Sequence, residues 1–270
     1  MTTPPPLEVF DLFAVPGPGV PLAGGQGHSV CAGDLVLSPG RDERVAAVLN
    51  PVLAPFAAQL DSERPRTLRL AMPIPTRDLR WVVDGWGATR FEPGASPCHD
   101  LDVLTATSRL FHARLAAAVP IRPDGLPRRD DRWARAERVA FGDAPAPAVL
   151  PEQTRALLGR LSRELRTAGP AGDLGPERLV HGDLANNVLL DQDRVPLVID
   201  VAAYWRPALW AEAVCVLDAV TWLGADPTAM ERWADGAARQ AILRAAVFRL
   251  LSDELNDVEP YHRSLGPLLD

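Results

Sequence analysis

The chain has 270 residues, 47% of them hydrophobic, with 35 acidic against 28 basic side chains and a formal net charge of −7. That length exceeds what one hydrophobic core usually organises and predicts two lobes. The acidic balance argues against a nucleic-acid partner, whose phosphates demand a basic face, and no apolar run approaches the roughly 18 residues needed to span a bilayer.

Cys31, Cys98 and Cys215 are odd in number, widely spaced and set in apolar sequence, so they read as reduced core thiols and not as a disulfide or zinc framework. The opening MTTPPPLEVF lacks the charged and apolar regions of a secretory signal, and a soluble, cytoplasmic monomer or homodimer without membrane contact is expected. In chain order, Pro21 to Pro39 reads as strand, turn, strand, with Gly24-Gly25-Gln26-Gly27-His28-Ser29 as the turn. Glycines there permit the backbone amides to approach a phosphate closely, although such clusters taken alone are mostly hairpin turns. Asp42 to Leu60 has apolar positions at helical spacing interrupted by Pro51 and Pro55, which predicts a kinked or broken helix. Thr67 to Ala71 and Leu79 to Asp84 read as short strands, and another runs from Trp86 until Pro93-Gly94 ends it. Trp81 and Trp86 alternate with apolar neighbours and are expected in the core.

His99 to Val119 keeps a helical period and opens a larger, helical lobe, with His112 expected as a buried, satisfied side chain. Arg122 to Arg138 interleaves opposite charges and reads as solvated surface. Pro145 to Pro151 leads into a helix over Pro151 to Thr167. Beyond Asp200, Trp210, Val214, Leu217 and Thr221 share one face of a deeply packed helix, and a final helix is expected over Thr228 to Leu251, followed by the acidic DELNDVE.

The most informative stretch is HGDLANNVLLDQDRVPLVID, residues 181–200. VLL and PLVI are too short for helices and rich in β-branched residues, and DQDR between them is a turn, so the two runs predict a small hairpin. It would hold Asp183, Asn187 and Asp200 near one edge, where two oxygen ligands and a carboxylate base share a magnesium-bound phosphate. A turn using Asp and Asn for local backbone hydrogen bonds is the plain alternative.

The HGDL-x-x-N opening followed by Ile199-Asp200 resembles the aminoglycoside phosphotransferase and choline kinase-like group, distant relatives of the protein kinases, and in particular an actinobacterial branch with HGDL-x-x-NVL. The resemblance implies an α+β, bilobal protein-kinase-like fold: a small β-rich nucleotide-binding lobe over residues 1–93 with one helix, and a mostly helical lobe over 94–270 with the catalytic loop and acceptor site. It implies a phosphotransferase that uses ATP or GTP and Mg²⁺ on a small-molecule hydroxyl. His181, Asp183 and Asn187 would be catalytic, with Asp183 as the base, and Asn187 and Asp200 would bind the metal. The nucleotide would meet Gly24, Gly25, Gln26, Gly27, His28 and Ser29, then Ser38, then Arg90, Phe91 and Glu92 at the crossover between lobes, where backbone groups read the adenine edge. Glu212 falls where relatives keep an aspartate that braces the catalytic loop, and Tyr204, Trp205 and Arg206 lie beside the metal aspartate.

Two departures stand out. The loop from Asp183 to Asn187 is one residue shorter than the HGDLHPGN pattern, so Asn186 is an alternative to Asn187. All 28 basic residues are arginine, and Ser38 occupies the place where the group carries a phosphate-binding lysine. Arg41 or Arg44 would have to supply that charge, as a wide planar fork and not a compact ammonium; Glu43 would then be a first-turn charge. A pseudokinase that binds nucleotide without transfer, or a kinase of peptide serine or threonine, are the alternatives.

Overall fold

The computed structural model describes residues 4–22, 28–169, 171–253 and 257–269. In chain order the elements are α1 (Leu7–Leu12), β1 (Val20–Pro21), β2 (Val30–Ala32), β3 (Leu35–Ser38), α2 (Glu43–Ser62), β4 (Arg69–Leu70), β5 (Pro73–Ile74), β6 (Val82–Val83), β7 (Trp86–Arg90), β8 (Ser96–Pro97), α3 (Leu101–Ala118), α4 (Arg132–Phe141), α5 (Glu152–Thr167), β9 (Glu177–His181), β10 (Val188–Leu190), β11 (Pro196–Val198), β12 (Ala203–Pro207), α6 (Ala208–Trp222), α7 (Gly236–Ser252) and α8 (Glu259–Leu269).

Two compact units form: Met1–Pro97 with Ala117–Pro127 and Asn186–Asp200, and Cys98–Ala116 with Arg128–Ala185 and Val201–Asp270. The sequence suggests a single cut after residue 93, whereas the observed division interleaves. The reason is pairing: β10 and β11 extend a sheet of order β4-β11-β10-β8, whose other members precede residue 98.

In the first unit β1, β2, β3, β7 and β5 lie side by side in that order, with β6 also pairing β7. Leu35 and Leu37 of β3 point inward with Val30 and Ala32 of β2, and pack with Val9 and Phe10 of α1. Because side chains alternate across a strand, Cys31 faces the other way and is only half-buried, unlike the core thiols of Cys98 and Cys215; none of the three forms a disulfide. The helix expected to kink or break at its prolines does not break: it runs through Glu43–Ser62 as one element, with Pro51 and Pro55 inside it. Both prolines are exposed, so the carbonyls they leave without an N–H donor face water, while Leu49, Leu53, Phe56 and Leu60 keep the buried face continuous. The Asp42 carboxylate caps this helix by accepting from the amides of Arg44 and Val45 at 2.8 and 3.1 Å. Arg69 on β4 is 8% exposed. It ties the unit together by donating to Asp61 of α2 at 2.9 Å, Glu92 at 2.7 Å and Asp191 at 3.1 Å.

In the second unit β9 and β12 pair antiparallel from Ala203↔His181 to Pro207↔Glu177. Helix α6 is buried on all sides from Trp210 to Val220, as is expected of a helix enclosed by others. Trp210 meets Phe141, Tyr204 and Phe248 edge to face, with centroids 5.3 to 5.5 Å apart. The stretch read as solvated surface, Arg122 to Arg138, runs into α4, which buries Ala134, Ala136 and Ala140, is capped by Asp131 and stops at Gly142 with φ 80°. The final helix expected over Thr228 to Leu251 divides into a 3-10 segment, Pro227–Trp233, and α7, and α8 follows. Among the described residues no helix is long and apolar enough to cross a membrane.

Candidate active site

Strand β9 buries Leu179, Val180 and His181 at its end and delivers Asp183 two residues later. The loop is held by histidines. His181 Nδ1 accepts the amide N–H of Asp183 at 3.1 Å, and His112 Nε2 accepts the amide N–H of His181 at 3.0 Å. Since Nε2 of His112 is an acceptor, its proton sits on Nδ1 and points to Ser108 Oγ, 3.2 Å away. Complete burial, and secondarily the nearby His181, pushes His112 down to about 3, so it stays neutral. Phe111 stands edge-on to both rings, at 5.6 and 6.4 Å. Gly182 is required by close approach: a Cβ there would meet the Tyr204 ring at 2.5 Å.

The Asp183 carboxylate remains 42% exposed. One partner is Arg249 of α7, 5% exposed, whose Nη2 donates to Asp183 Oδ1 at 2.5 Å and to the carbonyl of Gly182 at 3.4 Å. Nε of Arg249 donates to Asp218 Oδ1 of α6 at 2.8 Å, and Nη2 also reaches Asp218 Oδ2. Although burial alone would lower it, the Asp218 and Asp183 carboxylates hold Arg249 above its ordinary range. The brace expected from Glu212 is therefore made by other residues. Glu212 faces Arg109 of α3 in a two-pronged pair, with Nη2 to Oε1 at 2.7 Å. Tyr204 and Arg206 are spent on packing: Tyr204 is buried, and Arg206 pairs with Glu137, Asp143 and Glu177.

In the first unit the predicted hairpin is present. β10 and β11 pair as Val188↔Val198, Leu189↔Leu197 and Leu190↔Pro196. Asp191 shapes the turn by accepting from the amides of Asp193 and Val195 at 3.0 and 2.9 Å. At its open end the carbonyl of Asn187 accepts the amide of Ile199 at 2.9 Å, which sets Asn187 beside Ile199 and next to Asp200. Asp200 adopts a left-handed φ of 49°, a conformation uncommon outside glycine that aspartate tolerates and that recurs at functional sites. Its Oδ1 pairs with Nη1 of Arg41. Arg41 follows β3, donates its amide to the Gly85 carbonyl at 2.9 Å and lays its stem over Gly87, where a Cβ would come within 3.1 Å of Arg41 Cγ.

Other expected nucleotide contacts are engaged within the unit. The hydroxyls of Ser29 and Ser38 share a hydrogen bond of 2.9 Å, and His28 is exposed. The amide of Arg90 donates to the Met72 carbonyl at 2.9 Å and that of Phe91 to the Asp34 carbonyl at 2.8 Å. Any adenine contact from these two residues would run through a carbonyl or a side chain. The Glu92 carboxylate is taken by Arg69. Gly24, Gly25, Gln26 and Gly27 lie outside the described residues.

Among the described residues no group of three or more His, Cys, Asp and Glu side chains could hold a metal by itself. Asn187 and Asp200 supply an amide and a carboxylate oxygen. That pair suits a hard cation completing its octahedron with phosphate and water.

No family profile and no curated protein sequence matches the chain. Solved structures do. A microcompartment-associated aminopropanol kinase is 18% identical with a TM-score of 0.59, over 97% of this chain and 92% of that one. The gentamicin complex of APH(2")-IIa is 14% identical with a TM-score of 0.52, over 97% and 94%. Choline kinase LicA from Streptococcus pneumoniae is 11% identical with a TM-score of 0.51, over 97% and 96%. The chain thus has the α+β, protein-kinase-like fold that these small-molecule kinases share.

Proposed function

We propose that this protein is a nucleotide-dependent phosphotransferase that moves the γ-phosphoryl group of ATP or GTP to a hydroxyl of a small molecule. The observation that carries the reading is the hairpin register, which sets Asn187 next to Asp200 at one end of two short strands, four residues after an exposed Asp183 carboxylate. The fold, shared along almost the whole chain with solved small-molecule kinases, supports it.

Asp183 orients the acceptor hydroxyl and receives its proton; His181, enclosed in the core, positions the Asp183 backbone. Asn187 and Asp200 would hold Mg²⁺, which when bound neutralises charge on the transferred group. The first unit is the nucleotide-binding side, and the helical second unit carries the acceptor. Arg41 takes the charge role that Ser38 cannot fill: Arg44 is exposed on the first turn of α2, whereas the Arg41 guanidinium already lies on Asp200. That same ion pair favours a second reading, a pseudokinase in which Asp200 stays occupied by Arg41.

One assay separates the readings. With Mg²⁺ and radiolabelled ATP or GTP offered to a library of small hydroxyl compounds, the parent transfers phosphate. Asp183→Ala loses turnover with little loss of nucleotide affinity, while Asp200→Ala loses magnesium-dependent binding. Magnesium-dependent nucleotide binding without transfer to any acceptor supports the pseudokinase. No nucleotide binding rejects both.

A further inference from the structure

A charged residue deep in a core is costly unless paired, and the second unit buries two. Arg249 is 5% exposed and Asp218 is 2% exposed, on α7 and α6. Between them they make a two-pronged contact, Nε to Oδ1 and Nη2 to Oδ2. A structural ion pair would end there. This one does not: the Nη2 that completes the pair also donates to Asp183 Oδ1, and it lies 3.4 Å from the carbonyl of Gly182. The guanidinium thus grips the catalytic loop at two consecutive residues, one through its backbone and one through its functional carboxylate. Arg249 lies 66 residues from Asp183, so this hold is set by the tertiary packing of α7.

We propose that Arg249, locked in place by Asp218, is the positioning residue that sets the rotation of the Asp183 carboxylate for phosphoryl transfer. Asp218 fixes the guanidinium plane, and a planar fork fixed at one side presents its remaining donors in one direction. Asp183 is 42% exposed, and the Arg249 contact comes from its buried side, where the guanidinium direction is fixed by Asp218. A reacting group displaced by about 1 Å can cost on the order of 100-fold in rate. Lysine at 249 carries the charge, but a single ammonium cannot span Asp218 and Asp183 in the same geometry.

The inference rests on the phosphotransferase reading, so its test has one arm that needs no turnover. Crystal structures of the parent and of Arg249→Lys, with Asp218→Asn as the alternative should the lysine variant not fold, show the Asp183 carboxylate on Arg249 in the parent and turned to another rotamer in the variant. The second arm measures turnover with Mg-ATP and a hydroxyl acceptor. Arg249→Lys lowers kcat about 10- to 100-fold with nucleotide KM changed by less than about 3-fold, and in an Asp183→Asn background it costs nothing further. A parent crystal structure with Arg249 away from Asp183, an unmoved carboxylate in the variant, or an equal loss in the Asp183→Asn background overturns the proposal. A parent that transfers nothing sinks the phosphotransferase reading, and the crystallographic arm still decides whether Arg249 sets the carboxylate.

Discussion

Replacing His112 by glutamine should flatten the acid limb of this protein's stability. The histidine is 3% exposed, accepts from the His181 amide through Nε2 and donates toward Ser108 from Nδ1. Protonating Nε2 would break the first bond and place a charge in the core. Its pKa accordingly falls from an ordinary 6.5 to about 3. A folded-state value below the unfolded one means that the unfolded chain binds the proton first. The stabilisation is therefore whole above pH 6.5 and is lost as pH falls from 6.5 towards 3. Each pH unit in that window costs about 1.4 kcal/mol, so moving from pH 7 to 4.5 removes roughly 3 kcal/mol through this residue alone. Glutamine offers an amide oxygen to the His181 N–H and does not titrate. Urea unfolding followed by tryptophan fluorescence at half-unit pH steps should show parent and His112→Gln converging as the pH drops. If their stability difference does not change between pH 7 and 4.5, His112 is not held neutral by this contact and the account of the His181–Asp183 loop fails.

Arg41→Ala should weaken Mg-nucleotide binding roughly 10- to 100-fold, the worth of a charge-assisted contact. It should barely move the melting temperature, because the Arg41–Asp200 pair is partly exposed and such pairs contribute about 0–1 kcal/mol; calorimetric titration and a thermal melt check both. Arg69→Met leaves Asp61, Glu92 and Asp191 facing one another without their cation, and chemical denaturation should register a loss of about 3–5 kcal/mol. Gly182→Ala drives a methyl into the Tyr204 ring and should cost about 1–3 kcal/mol in the same assay, with turnover falling further than stability does.

The parts legible in the sequence were those with local signals. The hairpin announced itself through two short β-branched runs around DQDR, α3 through apolar periodicity and α5 through its proline lead-in. Helix α4 hid because its buried face is alanine, so the charges of the surrounding RRDDRW dominated. Strand β12 has no signal of its own in the sequence, since its register is set by β9 and nothing within AYWRP fixes it. The resemblance points to Glu212 as the brace of the HGD loop, whereas the pair that reaches Asp183 is Asp218 and Arg249. A signal for it did exist: VCVLDAV and AAVFRLL each hold one charge of opposite sign inside an apolar helix, and buried charges need partners. Which partners they find is a property of how α6 and α7 pack, and no spacing rule encodes it.

A crystal structure with Mg²⁺ and a non-hydrolysable ATP analogue tests the central claim most directly. The account predicts a single site in which the oxygens of Asn187 and Asp200 ligate the metal and the Arg41 guanidinium has left Asp200 for a phosphate. A nucleotide whose metal touches neither residue, or one bound with Arg41 still paired to Asp200, would contradict it.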